Sequence, residues 1–396
     1  MDASRRRAGS LPRGLSLNWE IVSEDGDQFL SIPDEFETLS QMSIPGTQNL
    51  DDDSDCWSLN QEKETLEKLD PQEIKMQELI HEFILTEKHY CLVLLTIQQL
   101  FCDGFSKFFA SETKLRGVFI GIDDLIQVHT SFLDELTTRQ EQAELTANIT
   151  DILAGFFGNS SKLKQMYGDF CKNSDKALKI YKFYLETDYE FEKFINSCQK
   201  NPLLKRKSLP DCLLLIEQRL IKYQLLISAM LKTNKSDLNS VHDSIKDILF
   251  DVNQQIEEQQ NALRKVEICH KLDDKSYTIY KGHQFSKFDM QAEHRKLIFE
   301  GEATLNDKAL IRIVVLSDLI VFLREVNGRY ELFMPENKIG AFGLDRVLVR
   351  KKAGLKSIFY LISSDKVNPQ IHELHVLEPK DVNVWIKAIQ DHSLLL

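Results

Sequence analysis

Glycine and proline are scarce in this chain, at 16 and 9 of 396 residues. Few glycines leave little material for backbone cradles around phosphate, and no GxxxxGK(S/T) loop or glycine-rich strand-to-helix turn occurs. A GxSxG elbow is absent, no Ser, His and Asp constellation appears, and no His, Cys, Asp or Glu set has metal-ligand spacing. Covalent catalysis, a bound metal and a cofactor are therefore not expected. The seven cysteines are odd in number, scattered and without a CxxC pair, which predicts free thiols in a reducing, cytoplasmic compartment. No window holds the roughly 20 consecutive apolar residues that a membrane helix needs. The basic start Met1-Asp2-Ala3-Ser4-Arg5-Arg6-Arg7 leads into Gly, Ser and Pro, so no signal peptide is expected. Basic excess is also lacking, since 49 bases against 61 acids give a net charge of −12, and a nucleic-acid partner is not expected.

What is present falls into three parts. Residues 1–70 combine arginines and serines with Asp51-Asp52-Asp53-Ser54-Asp55 and show no sustained period, which predicts disorder. Arg7-Ala8-Gly9-Ser10 and Arg13-Gly14-Leu15-Ser16 in that tail have the pattern of basophilic kinase substrates. From 71 to 272 the pattern is helical and low in proline. Met76, Ile80, Phe83, Glu87, Tyr90, Leu94, Ile97 and Phe101 recur in steps of three and four along one helix face. A second amphipathic segment runs from Ile122 to Leu136, followed by helical patterns over about 148–157, 160–183, 186–199, 209–232 and 237–272. Helices this long predict an elongated all-helical bundle. A linker over 273–290 then leads to strand patterns over 291–396. There Asn327-Gly328 marks a hairpin, and Val384, Trp385, Ala388 and Ile389 mark a final helix. Strands closed by one helix predict a small β-barrel capped at one end.

Polar residues stand out on the helices. Glu87 interrupts an apolar stripe, so its carboxylate is either paired internally, with Arg219 or Lys222, or presented to a partner. Arg219, Lys222 and Tyr223 lie in an otherwise apolar helix. Arg264 near the end of the last long helix suits the helix dipole as well as a partner. His129, on an apolar face, is expected to be a packed core histidine. On the barrel, Arg312 between Ile311 and Ile313 offers no basic cluster of the kind an inositol phosphate would need.

These stretches carry a family resemblance. Glu78-Leu79-Ile80-His81-Glu82-Phe83-Ile84-Leu85-Thr86-Glu87-Lys88-His89-Tyr90 resembles the first signature of Dbl-homology Rho exchange domains, and Gln218-Arg219-Leu220-Ile221-Lys222-Tyr223-Gln224-Leu225-Leu226 resembles their third, QRxxKYPLLL. Phe170 to Lys182, Val314 to Leu323 and the Trp385 helix are similar to the Lbc-type branch and its following pleckstrin-homology domain. The resemblance spans about residues 73–392. It implies a non-covalent guanine nucleotide exchange factor that activates a RhoA-like GTPase, is cytoplasmic, and is recruited weakly to the plasma membrane or cytoskeleton. It further implies that Glu87 meets the GTPase's first switch, that Lys222 and Asn253 serve the second, that Arg219 belongs to the same GTPase-binding set, and that Arg264 favours RhoA-like partners. In the β domain it implies an apolar contact for GTP-loaded Rho at Tyr360 and Ile362, with Phe359 as the competing register. Gln224 replaces the family's proline, which leaves an exchange-inactive adaptor as the alternative; a membrane-shaping helical dimer is a weaker rival. Oligomeric state is not specified by these features.

Overall fold

A computed structural model describes residues 56–103, 121–143, 146–204, 206–233, 238–335, 339–365, 369–376 and 381–393. The kinase-type motifs and the acidic run at 51–55 lie outside the described residues. The predicted disorder does not extend to residue 70. Trp57 is buried, and the backbone N–H groups of Trp57 and Ser58 donate to the two carboxylate oxygens of Glu78 at 2.7 and 2.9 Å. One turn of helix, Lys63–Leu66, follows.

Helix α1 (Pro71–Thr96) begins where the sequence supplies a full start signal. Asp70 accepts from the N–H groups of Gln72 and Glu73 at 2.7 and 2.8 Å, Glu73 accepts from the Asp70 N–H at 2.8 Å, and Pro71 needs no donor partner at the first position. It runs on through a wider π-type turn, Ile97–Asp103. Helices α2 (Ile122–Glu141), α3 (Thr150–Gly158), α4 (Ser160–Thr187), α5 (Tyr189–Gln199), α6 (Leu209–Thr233) and α7 (Asn239–Lys271) complete the bundle among the described residues. At about 1.5 Å per residue, α7 alone is roughly 50 Å long. The stripe read from α1 is the core face: Ile80, Phe83, Glu87, Tyr90, Leu94, Ile97 and Phe101 are all buried.

The segment expected as a linker is structured. Strands β1 (Tyr277–Tyr280) and β2 (His283–Ser286) pair as a hairpin, and a short helix Lys287–Gln291 follows. Strands β3 (Leu297–Leu305), β4 (Ala309–Leu316), β5 (Leu319–Val326), β6 (Arg329–Leu332), β7 (Ala341–Gly343), β8 (Val347–Lys351), β9 (Ile358–Ser363) and β10 (Gln370–His375) form one antiparallel sheet. Its order is β6-β5-β4-β3-β10-β9-β8, with β7 also on β5. Asn327 and Gly328 take φ values of 51° and 75° in the β5–β6 turn, the left-handed pair such a hairpin requires.

Two cores meet at the middle strands. Ile311, Ile313, Val315, Ile320 and Phe322 face the barrel interior, where helix α8 (Asp381–Gln390) supplies Val382, Trp385 and Ile389. Val314, Leu316, Leu319, Val321 and Leu323 face the other way, onto Ile268, Cys269 and Leu272 from the end of α7. Because both faces are covered, these strands read as continuous apolar runs rather than alternating ones. Gly301 lies under the Trp385 ring, and a Cβ there would sit 2.7 Å from Cζ2. Gly301→Ala is expected to cost about 1–3 kcal/mol by overpacking, read as a lower midpoint in denaturant unfolding with unchanged slope.

Candidate functional site

The polar residues of α1 and α6 separate into an inner set and an outer set. Glu87 is fully buried, and Arg219, Tyr223 and His129 are almost or entirely so. The Arg219 guanidinium donates to Glu87 Oε2, and the Tyr223 hydroxyl donates to the same oxygen at 2.6 Å. His129 Nδ1 meets Glu87 Oε1 at 2.8 Å, while its Nε2 meets the Tyr167 hydroxyl at 3.0 Å, which in turn meets the Tyr90 hydroxyl at 3.1 Å. Arg219 also stacks over the Tyr223 ring at 4.2 Å. Arg219 and Tyr223 are four residues apart, so one helix face presents both to the core. The network joins α1, α2, α4 and α6.

These positions correct two expectations. Glu87 cannot meet a GTPase switch from the core, and Arg219 is its internal partner rather than a contact group. A carboxylate placed on an apolar stripe was stabilised here by pairing, which is the internal alternative that the sequence left open. Burial would raise the Glu87 pKa, but the adjacent Arg219 guanidinium, with His129 and Tyr223, outweighs it and holds the carboxyl at about 2. His129 is buried as expected, although it is a hydrogen-bonded member of the network rather than an inert packing group.

The outer set contains a residue that sequence reasoning missed. Glu82 lies five residues before Glu87, about 140° around the helix, and therefore leaves the core. Its carboxylate meets Lys222 Nζ at 2.9 Å, with both side chains partly exposed, 140 residues apart in the chain. Beside Lys222 on α6, Ile221 and Leu225 are exposed, 50% and 62% accessible, where a helix in a finished core would be polar. Helix α6 continues through Gln224, whose carbonyl accepts from Ser228 Oγ at 2.7 Å. Ser228 Oγ also meets His242 Nε2 at 3.1 Å, which fixes the register of the α6–α7 hairpin. Extending that antiparallel register puts Lys222 level with about residue 248, and exposed Asn253 roughly 7 Å further along α7. The signal that could have singled out Glu82 was its place off the apolar stripe, next to Phe83.

Arg264 does not stand open. Its Nε donates to Glu300 on β3 at 2.9 Å and its Nη1 to Glu267 at 2.9 Å. Glu300 accepts from Arg312 as well, and Arg312 reaches Glu302 at 2.5 Å. Arg264 thus ties the helical bundle to the barrel, a third correction of an expected contact role. In the β domain, Phe359 is fully buried against Trp385, with ring centroids 6.1 Å apart, so the Phe359 register fails. Tyr360 and Ile362 take the outer face, where Leu348, Ile362 and Ile371 align across β8, β9 and β10. Among the described residues no group of three or more metal-type ligands occurs.

Comparison with known proteins agrees with this architecture. A RhoGEF domain family matches residues 79–271 and a PH domain family matches 280–393. Rho guanine nucleotide exchange factor 28 of Rattus norvegicus is 27% identical over 424 residues, covering 98% of this chain and 25% of the relative. Rho guanine nucleotide exchange factor 2 of Mus musculus is 30% identical over 363 residues, covering 86% of this chain and 36% of the relative. The chain thus spans about a quarter to a third of the length of these relatives. A crystal structure of human RhoA in complex with the DH/PH fragment of PDZRHOGEF matches with a TM-score of 0.77 at 25% identity, covering 85% of this chain and 99% of that one. The DH/PH domains of p115-RhoGEF match with a TM-score of 0.66 at 24% identity, over 85% and 98% of the two chains. The fold is that of an exchange domain joined to a pleckstrin-homology domain. The chain belongs to the RhoGEF (Dbl-homology) and pleckstrin-homology family.

Removing one member of the buried pair leaves the other charged and unpaired. Glu87→Gln is expected to lower stability by about 3–5 kcal/mol at neutral pH, whereas Glu82→Gln should stay within about 0.5 kcal/mol, both by urea unfolding. Because the folded Glu87 pKa lies below its ordinary 4.5, its contribution is present above about pH 4.5 and is lost as pH falls toward 2. Unfolding free energy should drop over that window in the wild type, and the part due to this group should vanish in Glu87→Gln.

Proposed function

We propose that this chain accelerates GDP release from a RhoA-like small GTPase, with Glu82, Lys222 and Asn253 as the gripping groups. The observation that carries this is the Glu82–Lys222 pair on an open, apolar-flanked face, 2.9 Å apart and drawn from two helices of an exchange-domain fold. The choice of a RhoA-like partner rests on the likeness to relatives solved with RhoA, since Arg264 is already engaged by Glu300.

Exchange needs no covalent step. A GTPase holds its nucleotide through switch loops and a Mg²⁺ ion whose octahedral shell is exacting. A partner that binds the distorted, metal-free switches more tightly weakens nucleotide binding by the same factor. Acceleration of about 1,000-fold corresponds to about 4 kcal/mol, within reach of two or three charge-assisted hydrogen bonds at ~1.5–3 kcal/mol each. In the free protein Glu82 and Lys222 satisfy each other. An exposed pair of that kind is worth at most about 1 kcal/mol, so opening it for the GTPase costs little.

Two observations keep the adaptor as the second reading: Gln224 at the family's proline position, and the outer-face row of half-buried Leu348 and Ile362 with exposed Ile371, which would suit GTP-loaded Rho. An adaptor would bind the GTP form and leave GDP release untouched. Fluorescent-GDP release from RhoA separates the two. Glu82→Ala and Lys222→Ala are each expected to slow release by about 10- to 100-fold with melting unchanged. Wild-type release from both variants would refute the exchange assignment. Ile362→Asp should weaken binding of GTP-loaded RhoA and spare GDP release.

A further inference from the structure

The loop that enters α6 brings a basic run up to a serine, a feature that neither exchange nor GTPase binding uses. Between Glu192 and Asp211 the chain has no acidic residue, yet it holds Lys193, Lys200, Lys205, Arg206 and Lys207. In a protein of net charge −12 such a run is a local reversal of sign. Ser208 follows three consecutive bases and precedes Leu209 and Pro210. Bases alone would make a solvated surface. A hydroxyl directly after them is a nucleophile that a kinase with an acidic substrate groove can align, because each base pairs with a carboxylate of that groove. The two kinase-type motifs of the tail lie outside the described residues, whereas Ser208 lies within them.

The fold sets this serine at a turn and gives its hydroxyl a task. The Lys207 N–H donates to Leu204 O at 2.8 Å, and Arg206 takes φ of +67°, a left-handed value uncommon for a residue with a side chain. Arg206 is exposed and Ser208 half-buried. Ser208 is the N-cap of α6. Its N–H and its hydroxyl both donate to Asp211 Oδ2, at 2.8 and 2.6 Å, and its Oγ accepts from the Asp211 N–H at 3.4 Å. The two residues thus form a capping box. Reaching the hydroxyl means opening this box and the first turn of α6, the part of a helix that frays at least cost. Ile216, Arg219 and Leu220, buried further on, hold the rest of the helix.

We propose that Ser208 is a phosphorylation site for a protein kinase that selects bases ahead of its target, and that the phosphate opens the start of α6. Ser208 Oγ forms a bond to the γ-phosphorus of ATP. The bond from that phosphorus to the β–γ bridging oxygen breaks with its electron pair going to ADP, and the hydroxyl proton passes to the kinase's catalytic carboxylate. The product has lost the donor that held Asp211, and it sets a charge of about −1.5 to −2 beside that carboxylate. Repulsion then drives Asp211 off the cap, at the head of the helix that carries Arg219 and Lys222. None of these steps depends on exchange activity.

The test treats the whole chain with ATP and the catalytic subunit of cAMP-dependent protein kinase, and locates phosphate by peptide mass analysis. Ser208 should be phosphorylated in the folded chain. Lys205→Glu with Arg206→Glu should slow modification of Ser208 at least about tenfold, with melting unchanged. Amide hydrogen exchange over residues 209–213 should speed up at least about fivefold on phosphorylation of the wild type. It should not speed up in phosphorylated Asp211→Asn, which has no carboxylate to repel the phosphate. Absence of phosphate on Ser208, an equal rate in the base-reversed variant, unchanged exchange at the start of α6, or the same rise in Asp211→Asn would each overturn the proposal.

Discussion

The buried ion pair between Glu87 and Arg219 sets the geometry on which the rest depends. Two charges in a core are tolerated when they face each other and most of their remaining lone pairs and protons are met, and here Arg219 Nε alone of the pair's polar atoms stays without a partner. Tyr223 and His129 meet them on the carboxylate side, and Tyr167 and Tyr90 extend the chain of hydrogen bonds across the bundle. The geometric requirement is strict in a way that apolar packing is not, because sliding α6 by one turn would strand both charges. Fixing Arg219 and Tyr223 inward fixes Lys222 outward, between them in sequence and on the other flank of α6. Fixing Glu87 inward turns Glu82 out in the same manner. The outer pair is therefore a consequence of the inner one.

Helix α7 carries this order from one domain to the next. Its buried residues Val241, Ile245, Ile248 and Val252 belong to the bundle core, while Ile268 and Cys269 belong to the barrel side. Between them Arg264 bridges to Glu300, and Lys265 Nζ donates to the carbonyls of Ala292 and Arg295 at 2.8 and 2.6 Å. Burial depresses the Lys265 pKa, as expected for an ammonium whose acceptors are carbonyls. A contact with an apolar core and charged rim behaves as a joint, and places the outer face of β8, β9 and β10 in a set orientation to the bundle.

Much of the fold was legible from periodicity alone. The α1 stripe, the Asp70-Pro71 start and the Asn327-Gly328 hairpin each state a local physical requirement that the structure meets. The 273–290 segment was not, because strands of four residues carry too little pattern to separate from a linker. Trp57 was likewise hidden in a polar segment, since its burial depends on Glu78 capping two N–H groups from another element. The site was half legible. Sequence placed Lys222 and Asn253 on helices and offered Arg219 as an internal partner for Glu87, but a resemblance across a signature with two glutamates drew attention to the buried one. Deciding between Glu82 and Glu87 required knowing which face packs inward. Arg264 and Arg312 illustrate the same limit, for the Glu300 between them comes from another element and leaves no trace in spacing.

The proposed activity rests on an outer pair that is satisfied internally at rest and exchanged for contacts with a GTPase. A charge swap isolates that idea from stability. Combining Glu82→Lys with Lys222→Glu restores the intramolecular pair but reverses the polarity shown to a partner. GDP release from RhoA, measured with the doubly substituted protein alongside its melting curve, is the direct test. The account predicts a protein that melts like the wild type and does not accelerate release. Wild-type acceleration by the swapped protein would contradict it, showing the pair to be only a brace between two helices.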